Sequence, residues 1–375
     1  MAIASKKKQL IASNHFPFDK NLPSFNCLSS SKKPELCRFK CKAQVGGRIT
    51  IGSLERRSGN YKPSSWDYDF IQSLSTHEYE DERYLKRASE LVEHVKMMLD
   101  DETMGDVEKL ELIDDLERLG ICYHFEDKIN EILKQIHGQG WSKREMDLGT
   151  TALGFRLLRK HGFSISQELF NRFKNEKGEF DTSLGCDTKG LLQLYEASFL
   201  LMRGEDTLEL AREFSTKCLK QKIENEGIDR GIFMDEHLSI LVRKALELPL
   251  HWRVLRPNTR WFINAYELKQ NMNPIVLELA KLDFNIVQAT QQGELKQLSR
   301  WWEQTRLSQK MPFARDRLVE CYFWAASGMY DIKNGYARTM NTKINAFITV
   351  IDDMFDVYAT LEELQLFYNV IQRYA

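Results

Sequence analysis

Apolar positions recur at helical spacing along most of the chain. Leu91, Val95 and Met98 fall at i, i+4 and i+7, Leu112, Leu116 and Leu119 repeat that spacing, and Ile129, Ile132, Leu133 and Ile136 trace one stripe. Each stripe predicts a helix with one face turned into a core. Gly138 to Gly140, Gly178, the Gly227 to Gly231 segment, Pro249 and Pro257 interrupt the pattern at intervals that suit short connections between helices. No repeat of fixed period emerges. A polar stretch, Asn271 to Pro274, precedes a strongly amphipathic run beginning with Ile275 to Leu282, which places a domain boundary there. The pattern predicts an all-α chain with helical domains over 56–270 and 271–375.

Composition sharpens this picture at three points. With only 8 Pro in 375 residues and long stretches rich in Leu, Glu, Lys and Arg, helices are favoured over strands. No apolar run approaches the roughly 20 residues of a membrane span, and a net charge of −1 gives no reason to expect nucleic acid as a partner. The seven Cys, without CxxC spacing, read as reduced thiols rather than a zinc site or a disulfide framework.

The charge is uneven. Met1 to Arg48 carries ten Lys or Arg against Asp19 and Glu35, so this segment is +8 and the remainder −9. Residues 1–55 are basic, Ser-rich and poor in acids, and lack the apolar core of a secretory signal, which predicts an organellar transit peptide and a plastid location. A disordered basic tail of a cytosolic protein is the plain alternative.

Candidate chemistry sits late in the chain. In Phe347-Ile348-Thr349-Val350-Ile351-Asp352-Asp353-Met354-Phe355-Asp356-Val357-Tyr358, three carboxylates interrupt an apolar helix. At i and i+4, Asp352 and Asp356 share one face, with Asp353 turned about 100° away. Two carboxylates converging on an apolar surface need cations, protons or water. Oxygen-only ligands suit Mg²⁺, which keeps several waters and is shared with substrate phosphates. Upstream, Arg315-Asp316-Arg317 opens the aromatic run Cys321-Tyr322-Phe323-Trp324. Arg315 and Arg317 offer guanidinium forks for a diphosphate. Trp324, Phe347 and Tyr358 offer aromatic faces to the carbocation that a departing allylic diphosphate leaves behind. Taken singly, each feature has an ordinary reading: a solvated acidic helix face, a solvated arginine pair, a packing tryptophan. The eight His show no metal-ligand spacing.

Ordered blocks extend these motifs through nearly everything after the leader. Arg56-Arg57, eight residues, then Trp66 form an RRx8W signature followed by Asp67-Tyr68-Asp69-Phe70-Ile71-Gln72-Ser73-Leu74. Leu116-Glu117-Arg118-Leu119-Gly120, Tyr123-His124-Phe125-Glu126-Asp127, Ala245-Leu246-Glu247-Leu248-Pro249-Leu250-His251-Trp252-Arg253 and Leu277-Glu278-Leu279-Ala280-Lys281-Leu282-Asp283-Phe284-Asn285 follow, then the RxR and the DDxxD. Together they resemble plant class I terpene synthases of the monoterpene type.

The resemblance implies an N-terminal helical domain without chemistry and a C-terminal helical bundle with the active site. It implies a carbon–oxygen lyase that ionises geranyl diphosphate to monoterpenes with Mg²⁺ (or Mn²⁺), and a monomer. It also implies roles: Asp352 and Asp356 as metal ligands that also engage the diphosphate, Asp353 as their hydrogen-bonded support, and Arg315 and Arg317 as diphosphate binders. Trp324 would be a catalytic wall residue. Arg56, Arg57 and Trp66 would belong to an N-terminal strand folded over the site, with simple docking of that strand as the rival reading.

Phe355 and Ala359 stand where Tyr and Gly are commoner in the family. The family's second metal motif, (N/D)Dxx(S/T)xxxE, and its surrounding helices do not follow Ala375, and Asp114-Asp115 is no substitute, because Arg118 and Cys122 replace the hydroxyl and the Glu. The expectation is a truncated form with impaired activity and an exposed apolar patch. A cytosolic sesquiterpene synthase acting on farnesyl diphosphate and a non-catalytic truncated paralogue that binds a partner synthase stand as alternatives. A protonation-initiated cyclase would need a DxDD, of which Asp67-Tyr68-Asp69-Phe70 supplies only part.

Overall fold

In the computed structural model, which describes residues 56–75, 79, 81–226 and 235–374, the regular elements are helices, joined by turns and one isolated bridge between Lys174 and Phe180. The leader, with its transit-peptide reading, and the Gly227 to Gly231 break lie outside the described residues. Arg56–Ala375 forms one compact unit. Its α-helices of six residues or more are α1 (Tyr68–Ser73), α2 (Glu82–Leu99), α3 (Asp106–Arg118), α4 (Glu126–Gly138), α5 (Leu148–Lys160), α6 (Thr188–Ser198), α7 (Asp206–Glu226), α8 (Glu236–Glu247), α9 (Leu255–Tyr266), α10 (Pro274–Thr305), α11 (Leu318–Gly328), α12 (Gly335–Asp353) and α13 (Leu361–Tyr374). Among the described residues no helix is long and apolar enough to cross a membrane.

Local sequence explains most of the boundaries. Asp67, Asp81, Asp147, Asp187 and Asp235 cap α1, α2, α5, α6 and α8, each accepting a backbone N–H of the first turn. At the end of α3, Gly120 adopts φ +70°, and Gly120 N–H to Glu117 and Ile121 N–H to Leu116 close the helix in a Schellman turn that a side chain at Gly120 would strain. Pro257, read as a break, instead lies in the first turn of α9, where a missing N–H costs nothing.

The first half of the unit buries charge as well as apolar surface. Arg118 forks onto Glu196 and also bonds Asp114 at 2.9 Å, while Arg156 reaches Asp114 at 2.8 Å. All four side chains are buried, so α3, α5 and α6 are held by a neutral four-membered ion cluster. Removing one member would strand an unpaired charge and cost about 3–5 kcal/mol.

The 32-residue α10 ties this half to the rest. Asn273 caps it, accepting from the N–H groups of Ile275 and Val276, with Pro274 at the first helical position. Its early turns pack on α2, where Arg87 forks onto Glu278, and its later turns carry Leu298 and Trp302 into a core with Leu318, Cys321, Tyr322, Ala346 and Val350. Between them, the buried Asp283 accepts hydrogen bonds from Tyr123 and Arg256 and lies 2.9 Å from His124 Nε2.

Burial, reinforced by the nearby Arg156 charge, lowers the His251 imidazole to about 4, from an ordinary 6.5. The unfolded chain takes up this proton as the pH falls through the ordinary value, while the folded chain resists until the lower one. The stability that His251 contributes is therefore complete above the ordinary value and is lost on acidification toward the lower one. His251→Gln is expected to remove roughly 2 kcal/mol of the destabilisation between neutral pH and about pH 4.5. Urea unfolding of both proteins at the two pH values checks this, and an unchanged difference would count against it.

Candidate active site

Along α12, Ala346, Val350 and Asp353 recur at i, i+4 and i+7 and are buried, while Phe347, Ile348 and Ile351 on the other side are exposed. Asp353 is therefore carried into the protein, 1 % exposed, by the same periodicity that buries Val350. A carboxylate there needs donors. The Arg315 backbone N–H donates to Oδ2 at 2.7 Å, and the Arg315 Nε donates to both oxygens at 2.9 and 3.0 Å. The Arg315 guanidinium lies 4.9 Å from the Tyr61 ring centre. Through Nη2, Arg315 also reaches Asp352 at 3.0 Å.

The outer carboxylates differ. The Asp352 side chain is 54 % exposed, and Asp356 is exposed as well. The spacing predicts an unbroken α-helix through the motif, but the helix widens into a π-turn over Met354–Tyr358, with Ala359 N–H donating to the Met354 carbonyl at 2.9 Å. One extra residue enters this turn, a distortion common at functional sites. The i, i+4 relation of Asp352 and Asp356 is thus not that of a regular α-helix.

Arg317 points another way. Its Nη1 donates to the Asp316 carbonyl and its Nη2 to the Lys62 carbonyl, both at 2.7 Å. In this geometry it holds backbone, including that of the segment running from Arg56 to Trp66. At the start of that segment Arg56 forks onto Glu363 at 2.5 and 2.7 Å and lies 4.8 Å from the Tyr358 ring centre; Tyr358 in turn stacks on Phe313 at 3.6 Å. The Arg56 hydrogen bonds, with one from the Thr360 N–H, hold the Glu363 carboxyl down at about 2. Arg57 is exposed, and Trp66, half-buried, tilts against Phe70.

The aromatic residues separate into packed and open groups. Trp302 is buried with its Nε1 on Asp316 at 3.1 Å. Trp324, on α11, is 75 % exposed, and Phe347 meets Trp301 edge-on at 5.6 Å. Tyr358, expected as a wall residue, is instead sandwiched between Phe313 and Arg56. Behind the site the fully buried Arg338 binds Glu294 through Nε and Nη2 and caps the Met329 and Asp331 carbonyls, while the Tyr322 hydroxyl donates to Glu294 at 2.8 Å. Tyr61, Phe313, Glu363, Glu294 and Arg338 belong to no motif, so nothing in the sequence singled them out.

Among the described residues no three His, Cys, Asp or Glu side chains gather closely enough to hold a metal by themselves. What is presented is a pair of exposed carboxylates, an oxygen-only donor set beside an apolar face. That suits a hard cation which keeps waters and shares its remaining positions with a phosphorylated ligand.

Comparison with known proteins identifies the family. The terpene synthase N-terminal domain is matched over residues 65–246, and the metal-binding domain of the terpene synthase family over 303–375. The chain is 51% identical over 360 residues to the chloroplastic sabinene hydrate synthase of Thymus vulgaris, covering 94% of this chain and 58% of that protein. It is 49% identical over 378 residues to the beta-phellandrene synthase of Origanum vulgare, covering 99% and 60%. Limonene synthase with 2-fluorolinalyl diphosphate superposes with a TM-score of 0.79 at 52% identity, over 86% of this chain and 59% of that one. Isoprene synthase from grey poplar leaves, in complex with three Mg²⁺ ions and dimethylallyl-S-thiolodiphosphate, gives 0.71 at 40% identity, over 83% and 57%. The chain thus spans a little under two thirds of the length of these relatives. With both family domains matched in order, an all-helical fold shared with solved synthases, and half its residues identical to curated ones, the chain belongs to the terpene synthase family.

Proposed function

We propose that this chain serves the Mg²⁺-dependent ionisation of geranyl diphosphate in a plastid monoterpene synthase. The observation that carries this reading is the split among the three aspartates: Asp353 is buried and locked to Arg315, while Asp352 and Asp356 are left exposed at the edge of an apolar face. The relatives' monoterpene products and the chloroplastic name of one of them support the substrate and the compartment.

Asp352 and Asp356 would hold the metal, which, when bound, supplies positive charge against the diphosphate. Arg315, already on Asp352 and Asp353, fixes the carboxylate face and is placed to share its guanidinium with diphosphate oxygens; Arg317 sits beside it and fastens the Lys62 backbone. Trp324 and Phe347 present aromatic faces suited to a cationic hydrocarbon. The Arg56–Trp66 segment is clasped beside that region by Glu363, Tyr358 and Arg317. In this reading residues 56–270 are a supporting helical domain and 271–375 carry the chemistry.

Two experiments test it. Calorimetry with the unreactive geranyl S-thiolodiphosphate should show uptake that needs Mg²⁺ and that weakens at least about tenfold in the Asp352→Asn/Asp356→Asn double variant, equivalent to about 1.4 kcal/mol. Uptake indifferent to both would sink the proposal. Arg56→Ala and Glu363→Gln should each speed amide exchange across residues 56–66, yet shift global unfolding by less than about 1 kcal/mol, because the pair is partly exposed. Exchange that stays slow in both variants would show that the clasp lies elsewhere.

A further inference from the structure

Two largely buried carboxylates on α10 face the same way. Glu294 follows Asp283 by about three turns, so both lie on one stripe of the helix, about 16 Å apart. Asp283 is held by the first half of the unit: it accepts from Tyr123, in the short turn Cys122–His124 between α3 and α4, and from Arg256 on α9. Glu294 is held by the second half, where Arg338 forks onto it at 2.9 and 2.6 Å and the Tyr322 hydroxyl donates at 2.8 Å. One rigid helix therefore carries an anchor for each half.

The turn between α11 and α12 meets both anchors. Arg338, fully buried in the first turn of α12, gives its Nη1 to the Met329 and Asp331 carbonyls at 2.6 and 2.5 Å, so a single guanidinium ties the turn to Glu294. Between those two residues, Tyr330 sets its ring against Tyr123, with centroids 5.7 Å apart and planes at 77°. The turn is thus gripped from one side by the arginine of α12 and from the other by the tyrosine that holds Asp283. The start of α12 has no slack either. A side chain at Gly335, its first residue, would bring a Cβ to 2.8 Å from Glu294 Oε1 and push the carboxylate off Arg338.

These contacts lie at the opposite end of α12 from the Asp352 face, about 22 Å along the helix from Arg338 to Asp353. Their effect reaches it because α12 is one continuous helix. If the turn slides, Asp353 slides against the Arg315 N–H that it accepts at 2.7 Å, and hydrogen bonds weaken steeply with misalignment.

We propose that Tyr330 is a positioning residue for the carboxylate face: docked on Tyr123, it lets the first half of the chain set the axial position of α12, and with it the Asp353–Arg315 lock. The inference rests on Asp352 and Asp356 being the metal-bearing face, and it gives the supporting helices of the first half a share in the geometry of that face.

The Arg315 amide reports the lock directly. In Tyr330→Ala its hydrogen exchange, followed by NMR, should quicken about threefold or more, as the loss of one aromatic edge contact implies. Buried amides of α5, such as that of Phe155, should keep their rates, and Tyr330→Phe, which retains the ring, should exchange as the parent chain does. Calorimetry with geranyl S-thiolodiphosphate and Mg²⁺ should follow the same order, about threefold weaker in Tyr330→Ala and unchanged in Tyr330→Phe. Should Tyr330→Ala fail to fold, Tyr330→Leu, apolar but without a ring edge, takes its place. An Arg315 amide that exchanges alike in all variants, equal quickening in Tyr330→Phe, quickening of the α5 amides in step, or a quickened Arg315 amide with undiminished uptake of the analogue would each overturn the proposal. A parent chain that takes up no analogue would instead strike the diphosphate reading, and the Arg315 amide would still decide whether Tyr330 sets the lock.

Discussion

The site depends on one ion pair whose carboxylate is buried. Asp353 sits where α12 periodicity demands an inward side chain, and a carboxylate is tolerated there because Arg315 supplies its backbone N–H and its Nε to the same group. That bond does more than satisfy a buried charge. It fixes the loop before α11 against the end of α12, and it leaves Asp352, one residue earlier, pointing outward with Arg315 still in reach at 3.0 Å. A neutral Asn at 353 would keep some of the hydrogen bonds but strand the guanidinium. The cost falls on geometry as well as on stability, because the same arginine spans both aspartates.

The lock holds only if α11 and α12 keep their register, and that is set at the far end of α12. Arg338 joins Glu294 on α10 to the carbonyls that end α11, and Tyr322 closes the triangle. The two ends of α12 are thus tied by arginine–carboxylate forks, with the apolar layer of Leu298, Leu318, Tyr322, Ala346 and Val350 between them. Apolar packing alone permits small sliding of helices. Bidentate forks at both ends do not, since each guanidinium accepts its partner in one plane and one direction.

How much of this was legible depends on the kind of interaction. Helical class and the separation of Asp353 from its neighbours follow from periodicity, which is a local property. The inward faces were read nearly right: Leu91 and Val95 are buried, but the core takes Leu99 rather than Met98, and Ile113 rather than Leu112. An apolar stripe one residue wide of the true face is indistinguishable when neighbouring positions are both apolar. The π-turn at Met354–Tyr358 was invisible, because one residue of slack in a helix leaves no mark on hydrophobic spacing. Partner choice was equally hidden. Nothing in RxR says that Arg315 faces two aspartates while Arg317 faces the Lys62 carbonyl, and nothing near Glu363 says that it waits for an arginine 307 residues away. The resemblance located the residues; only tertiary structure shows whom they touch.

The two halves of the chain handle buried charge in opposite ways, and this bears on what each can do. In the first half, Arg118, Arg156, Asp114 and Glu196 neutralise one another completely, which stiffens α3, α5 and α6 but leaves that cluster nothing to offer a ligand. Around the DDxxD, compensation stops short: Asp353 is satisfied, Asp352 shares a partner, and Asp356 is left to solvent. A carboxylate that faces water rather than a fixed cation can exchange that water for a metal at little reorganisation cost. Full pairing at Asp352 and Asp356 would make a more stable helix end and a worse place for a divalent ion, and the incomplete neutralisation there is what the proposed binding of a metal-bound diphosphate would require.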